Sequence, residues 1–172
     1  MSISNAAPAA TTSPLVGKTA PPFALPDPVT GATVSLADYA GRAVLLIFLR
    51  GTWCPFCVEQ LHVLKENFAR LMEANISVVA VVCQAQITVR LYLRAAPLPF
   101  PLLCDGSRAT AKEYGTYYLA SHEGFHLSNP GLFLLNRAHC VTLAHVGHSM
   151  SDLPVAAILE KILAAPGASV GT

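Results

Sequence analysis

A chain of 172 residues, 53% hydrophobic and 12% charged, with a formal net charge of +1, is long enough for one well-packed domain. So apolar a composition excludes a disordered polymer, and the lack of any Lys or Arg run removes an electrostatic basis for binding nucleic acid or anionic membrane. No apolar run approaches the roughly 20 residues that a membrane-spanning helix needs.

Residues 1–16 are rich in Ala, Ser, Thr and Pro and lack the basic and apolar regions of a signal peptide. They read as a mobile arm, ahead of a domain over 17–165 and a mobile tail over 166–172, and a cytoplasmic location is expected. Phe23 to Leu25 and Ala32 to Ser35 are short strands around the turn signal Thr30-Gly31. Ala43 to Leu49 is wholly apolar and reads as a central, fully buried strand. From Pro55 to about Asn75 the spacing of Leu61, Leu64, Phe68 and Leu71 predicts one long amphipathic helix. Ile76 to Cys83 is a second all-apolar strand. A helix over Ile87 to about Arg94 stops before Pro97 and Pro99, a brief strand covers Phe100 to Cys104, and a short helix over Ser107 to Tyr114 ends at Gly115. Leu132 to Leu135 and Cys140 to His145 form a hairpin about Asn136-Arg137. Ser151 or Asp152 then caps a last helix that carries Val155, Ile158, Leu159 and Ile162 on one face. Early β/α alternation followed by a hairpin and a helix implies an α/β fold: a central mixed sheet with helices on both faces.

The chemistry concentrates in Cys54-Pro55-Phe56-Cys57, placed where the central strand hands over to the long helix. Pro55 suits the first helical position, and thiols at a helix N-terminus gain from its dipole and unpaired N–H groups, which favour the nucleophilic thiolate. Structural zinc would need a second such pair, and c-type haem attachment would need His at position 58, which is Val. With no Gly-rich phosphate loop either, no metal, flavin or nucleotide cofactor is expected. Five cysteines suit one redox pair plus three structural thiols, Cys83, Cys104 and Cys140.

The phrases A-P-P-F-A-L-P-D (Ala20 to Asp27), G-A-T-V-S-L-A-D-Y-A-G-R (Gly31 to Arg42), V-L-L-I-F (Val44 to Phe48), F-P-L-L-C-D (Phe100 to Asp105) and K-E-Y-G (Lys112 to Gly115) resemble the peroxiredoxins of the alkyl hydroperoxide reductase/thiol-specific antioxidant superfamily. The order of elements around the CxxC is similar to the thioredoxin fold, which the resemblance implies here. It places Cys57 in the peroxidatic position and Cys54 where the family carries Thr. Arg50-Gly51-Thr52-Trp53 supplies no matching Pro, and the family's Arg, expected near Pro130, is absent. Asn129-Pro130-Gly131-Leu132-Phe133-Leu134-Leu135 is instead similar to the thioredoxin-type loop whose Pro is cis and faces the thiols.

Two enzymes fit these residues, the first being the expected function and the second its alternative. In a thiol–disulfide oxidoreductase, Cys54, expected to be the more accessible thiol, attacks a protein disulfide and Cys57 resolves. In a thiol peroxidase, Cys57 attacks a hydroperoxide and Cys54 resolves. A non-catalytic redox-sensing module is a third reading. Trp53, Phe56, Asn129, Pro130 and Arg50 are the expected substrate-binding residues: aromatic walls beside the thiols, a cis loop that offers its backbone to a substrate strand, and a cation for thiolate or carboxylate. Glu59 is a weaker choice as proton acceptor, since an acid near a helix start is ordinary dipole complementation. Either enzyme needs a thiol reductant, such as a thioredoxin or glutathione system. The oligomeric state is left open, a dimer being one option.

Overall fold

The computed structural model describes residues 13–121 and 124–164. The proposed tail and most of the proposed arm lie outside them; residues 13–16 form a turn in which Val16 N–H donates to the Ser13 carbonyl at 3.1 Å.

β1 (Ala24–Pro26) and β2 (Thr33–Ser35) pair antiparallel and lead through a 3₁₀ turn, Leu36–Tyr39, into β3 (Ala43–Leu49). α1 (Pro55–Glu66), α2 (Phe68–Glu73), β4 (Ile76–Val82), α3 (Gln86–Ala95), β5 (Leu102–Cys104) and α4 (Ala109–Glu113) follow. A hairpin of β6 (Tyr117–Ser121) and β7 (Gly124–Ser128), then β8 (Gly131–Leu135), β9 (Val141–Val146) and α5 (Val155–Ala164), complete the described chain. The main sheet has the order β5-β4-β3-β8-β9, with β3, β4 and β5 parallel and β8 and β9 antiparallel to their neighbours. This is the mixed sheet expected from the sequence.

All seven residues of β3 and all seven of β4 are buried, because both faces of the sheet are covered. Leu45, Ile47 and Leu49 face a cluster with Leu61, Leu64, Leu71, Val89, Ile158 and Leu159 from α1, α2, α3 and α5. Val44, Leu46 and Phe48 face the other layer, with Leu25, Leu36, Ala111 and Tyr114. Each such aliphatic side chain contributes on the order of 1.5–3 kcal/mol by leaving water.

The long helix expected over 55–75 is two helices. At Asn67 (φ −94°, ψ 4°) the backbone leaves helical geometry, and the Asn67 side-chain amide bonds back to the Val63 carbonyl at 2.9 Å. This is the local competition between a short polar side chain and the helix ladder that Asn offers. The last helix begins after Pro154 rather than at a Ser151 or Asp152 cap. The Asp152 carboxylate instead accepts the His148 N–H at 2.9 Å and lies 3.4 Å from His145 Nε2. The β6–β7 hairpin occupies a stretch where the sequence pattern predicts no element.

Candidate active site

β3 delivers the chain to its C-terminal end at Arg50, which is fully buried despite its charge. The guanidinium lies over the Trp53 ring, 5.4 Å from the ring centroid to Cζ. Gly51 is required by that approach, since a Cβ there would run into the indole nitrogen of Trp53. Thr52 N–H donates to the Gln84 side-chain oxygen at 2.7 Å, which ties the loop to the turn after β4. Cys54 is the N-cap of α1 in extended conformation (φ −87°, ψ 121°), and Pro55 is the first helical residue. Cys54 N–H bonds the Gly51 carbonyl at 3.2 Å, and its carbonyl receives the first helical bond from Val58 N–H at 3.0 Å. The strand–CxxC–helix geometry expected from the sequence is therefore present.

The two thiols are in side-chain hydrogen-bond contact, which suits a pair able to form a disulfide. Burial pushes the Cys57 thiol up to about 12, the neighbouring Cys54 sulfur adding to the rise. Backbone hydrogen bonds from Gly51 and Arg50 act the other way and favour the thiolate. Cys57 thus sits in a dry pocket that already contains donors for its anionic form. Exposure does not separate the two thiols as expected: Cys54 is 1% exposed and Cys57 0%. The expectation failed because the Cys54 side chain, although at the helix end, turns into the same core cluster as Leu49 and Leu61.

Arg50, Trp53, Cys54, Phe56 and Cys57 lie between the end of β3 and the first turn of α1. Trp53 and Phe56 present apolar surface around the buried pair, 55% and 45% exposed. Pro130 reaches the same end of the sheet, since Phe48 pairs with Gly131 across β3 and β8. The expected cis bond is absent: the Asn129–Pro130 peptide is trans, like every other among the described residues. Nor is this backbone open to a substrate strand. Asn129 N–H donates to the Thr116 carbonyl at 2.7 Å, its carbonyl accepts Ser128 Oγ–H at 2.9 Å, and the Pro130 carbonyl accepts Gly147 N–H at 2.8 Å. The loop is closed by its own hairpin and by the turn after β9.

Cys104 packs in the same core cluster as Cys54 and Cys57, whereas Cys83 and Cys140 do not. Cys83 packs on the opposite face of the sheet from Cys57, and its thiol is also pushed up to about 12 by burial, with Asp105 adding to the rise. Gln84 is not among the residues the sequence points to, and Gln60 is legible there only as the first-turn neighbour of Glu59. A polar residue directly after a buried parallel strand, at the end where the CxxC emerges, was the signal for Gln84. Gln60, on the buried face of α1, breaks the apolar stripe.

The structure superposes on a peroxidoxin of Mycobacterium tuberculosis with a TM-score of 0.74, over 89% of this chain and 94% of that one at 19% identity. It superposes on the reduced 2-Cys peroxiredoxin of Plasmodium vivax with a TM-score of 0.75, over 88% and 81% at 18% identity. These likenesses give the fold, that of the thioredoxin-like peroxiredoxins. In sequence, the chain is 29% identical over 101 residues to peroxiredoxin Bcp of Escherichia coli K12, a match covering 59% of this chain and 64% of that protein. It is 35% identical over 101 residues to a Mycobacterium tuberculosis protein provisionally named a peroxiredoxin, again 59% and 64%, so the match spans under two thirds of these relatives' length. With peroxiredoxin-2 of Bos taurus it shares 28% identity over 157 residues, 86% of this chain and 75% of that one. Residues 16–144, well over half of the sequence, match the AhpC/TSA family, and the chain belongs to that family.

Proposed function

We propose that the protein is a thiol peroxidase in which Cys57 is the peroxidatic cysteine and Cys54 resolves it. The carrying observation is the Cys57 pocket: backbone donors from Arg50 and Gly51 on the sulfur and a second thiol in contact with it. The Cys57 thiolate attacks the terminal oxygen of ROOH, the O–O bond breaks, and RO⁻ takes a proton and leaves as ROH. Cys57 is then a sulfenic acid. The Cys54 sulfur attacks Cys57 Sγ, water is expelled, and the Cys54–Cys57 disulfide remains. A dithiol reductant of thioredoxin type restores both thiols and is itself oxidised by two electrons. The peroxiredoxin names of the relatives support this choice over plain disulfide exchange.

Arg50 braces the loop. Its guanidinium is stacked under Trp53, while its backbone contributes the bond to Cys57. The competing reading, a thiol–disulfide oxidoreductase with Cys54 as nucleophile, draws on the exposed Trp53 and Phe56 beside a helix-capping cysteine. Side-by-side turnover with hydrogen peroxide, an organic hydroperoxide and insulin disulfides decides between them. Peroxide consumption supported by dithiothreitol, with insulin reduction at background, is the expected result. Insulin turnover with inert peroxide overturns it.

A further inference from the structure

The backbones of Arg50 and Gly51 both hydrogen-bond the Cys57 sulfur, and the next residue, Thr52, donates its N–H to the Gln84 side-chain oxygen at 2.7 Å. Successive amides aimed at one point form a concavity that favours an anion. Such a loop serves the sulfur only while its backbone is held still. Two of its contacts are local: Cys54 N–H closes on the Gly51 carbonyl at 3.2 Å, and the Arg50 guanidinium lies over Trp53. Local contacts move with the loop. The bond to Gln84 crosses 32 residues of sequence and reaches the turn between β4 and α3. That turn is fixed relative to β3, because the two strands pair in parallel along their whole length, ending at Leu49 and Val82. Arg50 leaves β3 directly after that last pair, and Gln84 follows it by two residues on the neighbouring strand. The anchor of the loop is therefore the sheet itself.

The chemistry of the anchor suits its place. An amide oxygen accepts the Thr52 N–H without bringing a negative charge towards the sulfur. A carboxylate there would oppose a thiolate, and an apolar side chain would leave the Thr52 N–H without its acceptor. We infer that Gln84 is a positioning residue for Cys57: by holding Thr52 it keeps the Arg50 and Gly51 amides on the sulfur, and so sets how readily the reactive thiolate forms. This rests on the peroxidase reading for the role of that thiolate. Gln84 acts through the loop and not on the reacting atoms.

The test uses full-length, reduced protein and two variants. Gln84→Met removes the acceptor at similar volume, and Gln84→Glu keeps an oxygen in its place. Amide hydrogen exchange, followed by NMR, reads the loop directly. Gln84→Met is expected to speed exchange at Arg50, Gly51 and Thr52 about fivefold, the worth of one neutral hydrogen bond, while Gln84→Glu leaves them protected. The chemical readout is the rate at which methyl methanethiosulfonate modifies Cys57, resolved by peptide mass spectrometry in a Cys54→Ser background. The Cys57 thiolate attacks the reagent's divalent sulfur, the S–S bond breaks, methanesulfinate leaves, and a methyl disulfide remains on Cys57. Gln84→Met is expected to slow this step about fivefold, by the same factor at each pH from 7 to 9, with Cys140 beside β9 unchanged as the internal reference. Exchange that Gln84→Met leaves unchanged overturns the inference, as does loss of protection in Gln84→Glu. So does a Cys57 rate that stays at its starting value or rises, as it would if a slack loop merely opened the pocket, and so does an equal change at Cys140. Hydrogen peroxide is applied in parallel to the same Cys54→Ser chain. If Cys57 is not oxidised while the exchange and methanethiosulfonate results follow the expected pattern, the peroxidase reading fails and the positioning result stands.

Discussion

Cys57 and Cys83 make an instructive pair. Both follow a buried strand of the same sheet, are fully or nearly fully buried, and have thiols pushed up to about 12 by loss of water. Their surroundings differ. Cys57 receives backbone hydrogen bonds from Arg50 and Gly51 and touches a second thiol, whereas the Asp105 charge works against an anion at Cys83. Burial alone makes a cysteine inert; burial around prepared donors makes a pocket in which a thiolate, once formed, is held and shielded.

The strongest way to break this contrast is substitution. Cys57→Ser is expected to lower peroxide turnover to background, a loss on the order of 10³-fold or more for removal of a nucleophile. Cys83→Ala should stay within about twofold, because the two sites lie on opposite faces with no shared partner. Comparable losses in steady-state peroxide consumption would show that the distinction is wrong.

Next in size, Cys54→Ser should stop multiple turnover with a dithiol reductant while leaving the first chemical step. Mass spectrometry after peroxide and dimedone should find one adduct per chain, on Cys57. An adduct on Cys83 instead would reverse the assignment.

Alkaline stability tests the shared half of the comparison. Both thiols titrate near 12 in the folded chain against 9.0 for an ordinary thiol, so the folded state binds the proton more tightly than the unfolded state. The stabilisation is complete below about pH 9 and is lost as pH rises towards 12. Urea unfolding between pH 8 and 11 should show this fall, and either Cys57→Ala or Cys83→Ala should flatten it by a similar amount. A slope that neither substitution changes would refute the shared origin.

The smallest effect belongs to Trp53. Removing its ring by Trp53→Ala takes away the cation–π contact with Arg50, worth about 0.5–2 kcal/mol. A fall in Tm of a few degrees by calorimetry is expected. No change would mean that the stacked geometry contributes nothing net.

What the sequence disclosed follows from what each signal depends on. β3 and β4 were legible to within a residue because a run such as Val44 to Leu49 has one stable destination, a strand covered on both faces. The CxxC was legible because the proline, the helix stripe and the thiols are neighbours in the chain. Asn67 ended a helix through a single side-chain bond that the apolar stripe gives no hint of. Pro130 resembled a cis loop by local spelling, yet partners at Thr116 and Gly147 determine how its backbone is used. The burial of Cys54 likewise depends on a distant cluster, and the backbone donors on Cys57 belong to a loop geometry that residue types do not encode.

One further consequence lies at the rim of the sheet. β9 is an edge strand, and its beginning is covered by the chain's own early residues: Gly17 N–H donates to the Val141 carbonyl at 2.8 Å, Val141 N–H to Lys18 at 2.9 Å, and Ala20 N–H to His139 at 2.8 Å. An uncovered edge is a template for strand addition by another molecule. Residues 17–20 thus serve colloidal behaviour as much as the fold. Trimming them would bare that edge in a chain that is 53% hydrophobic and nearly neutral, where little charge repulsion would oppose aggregation.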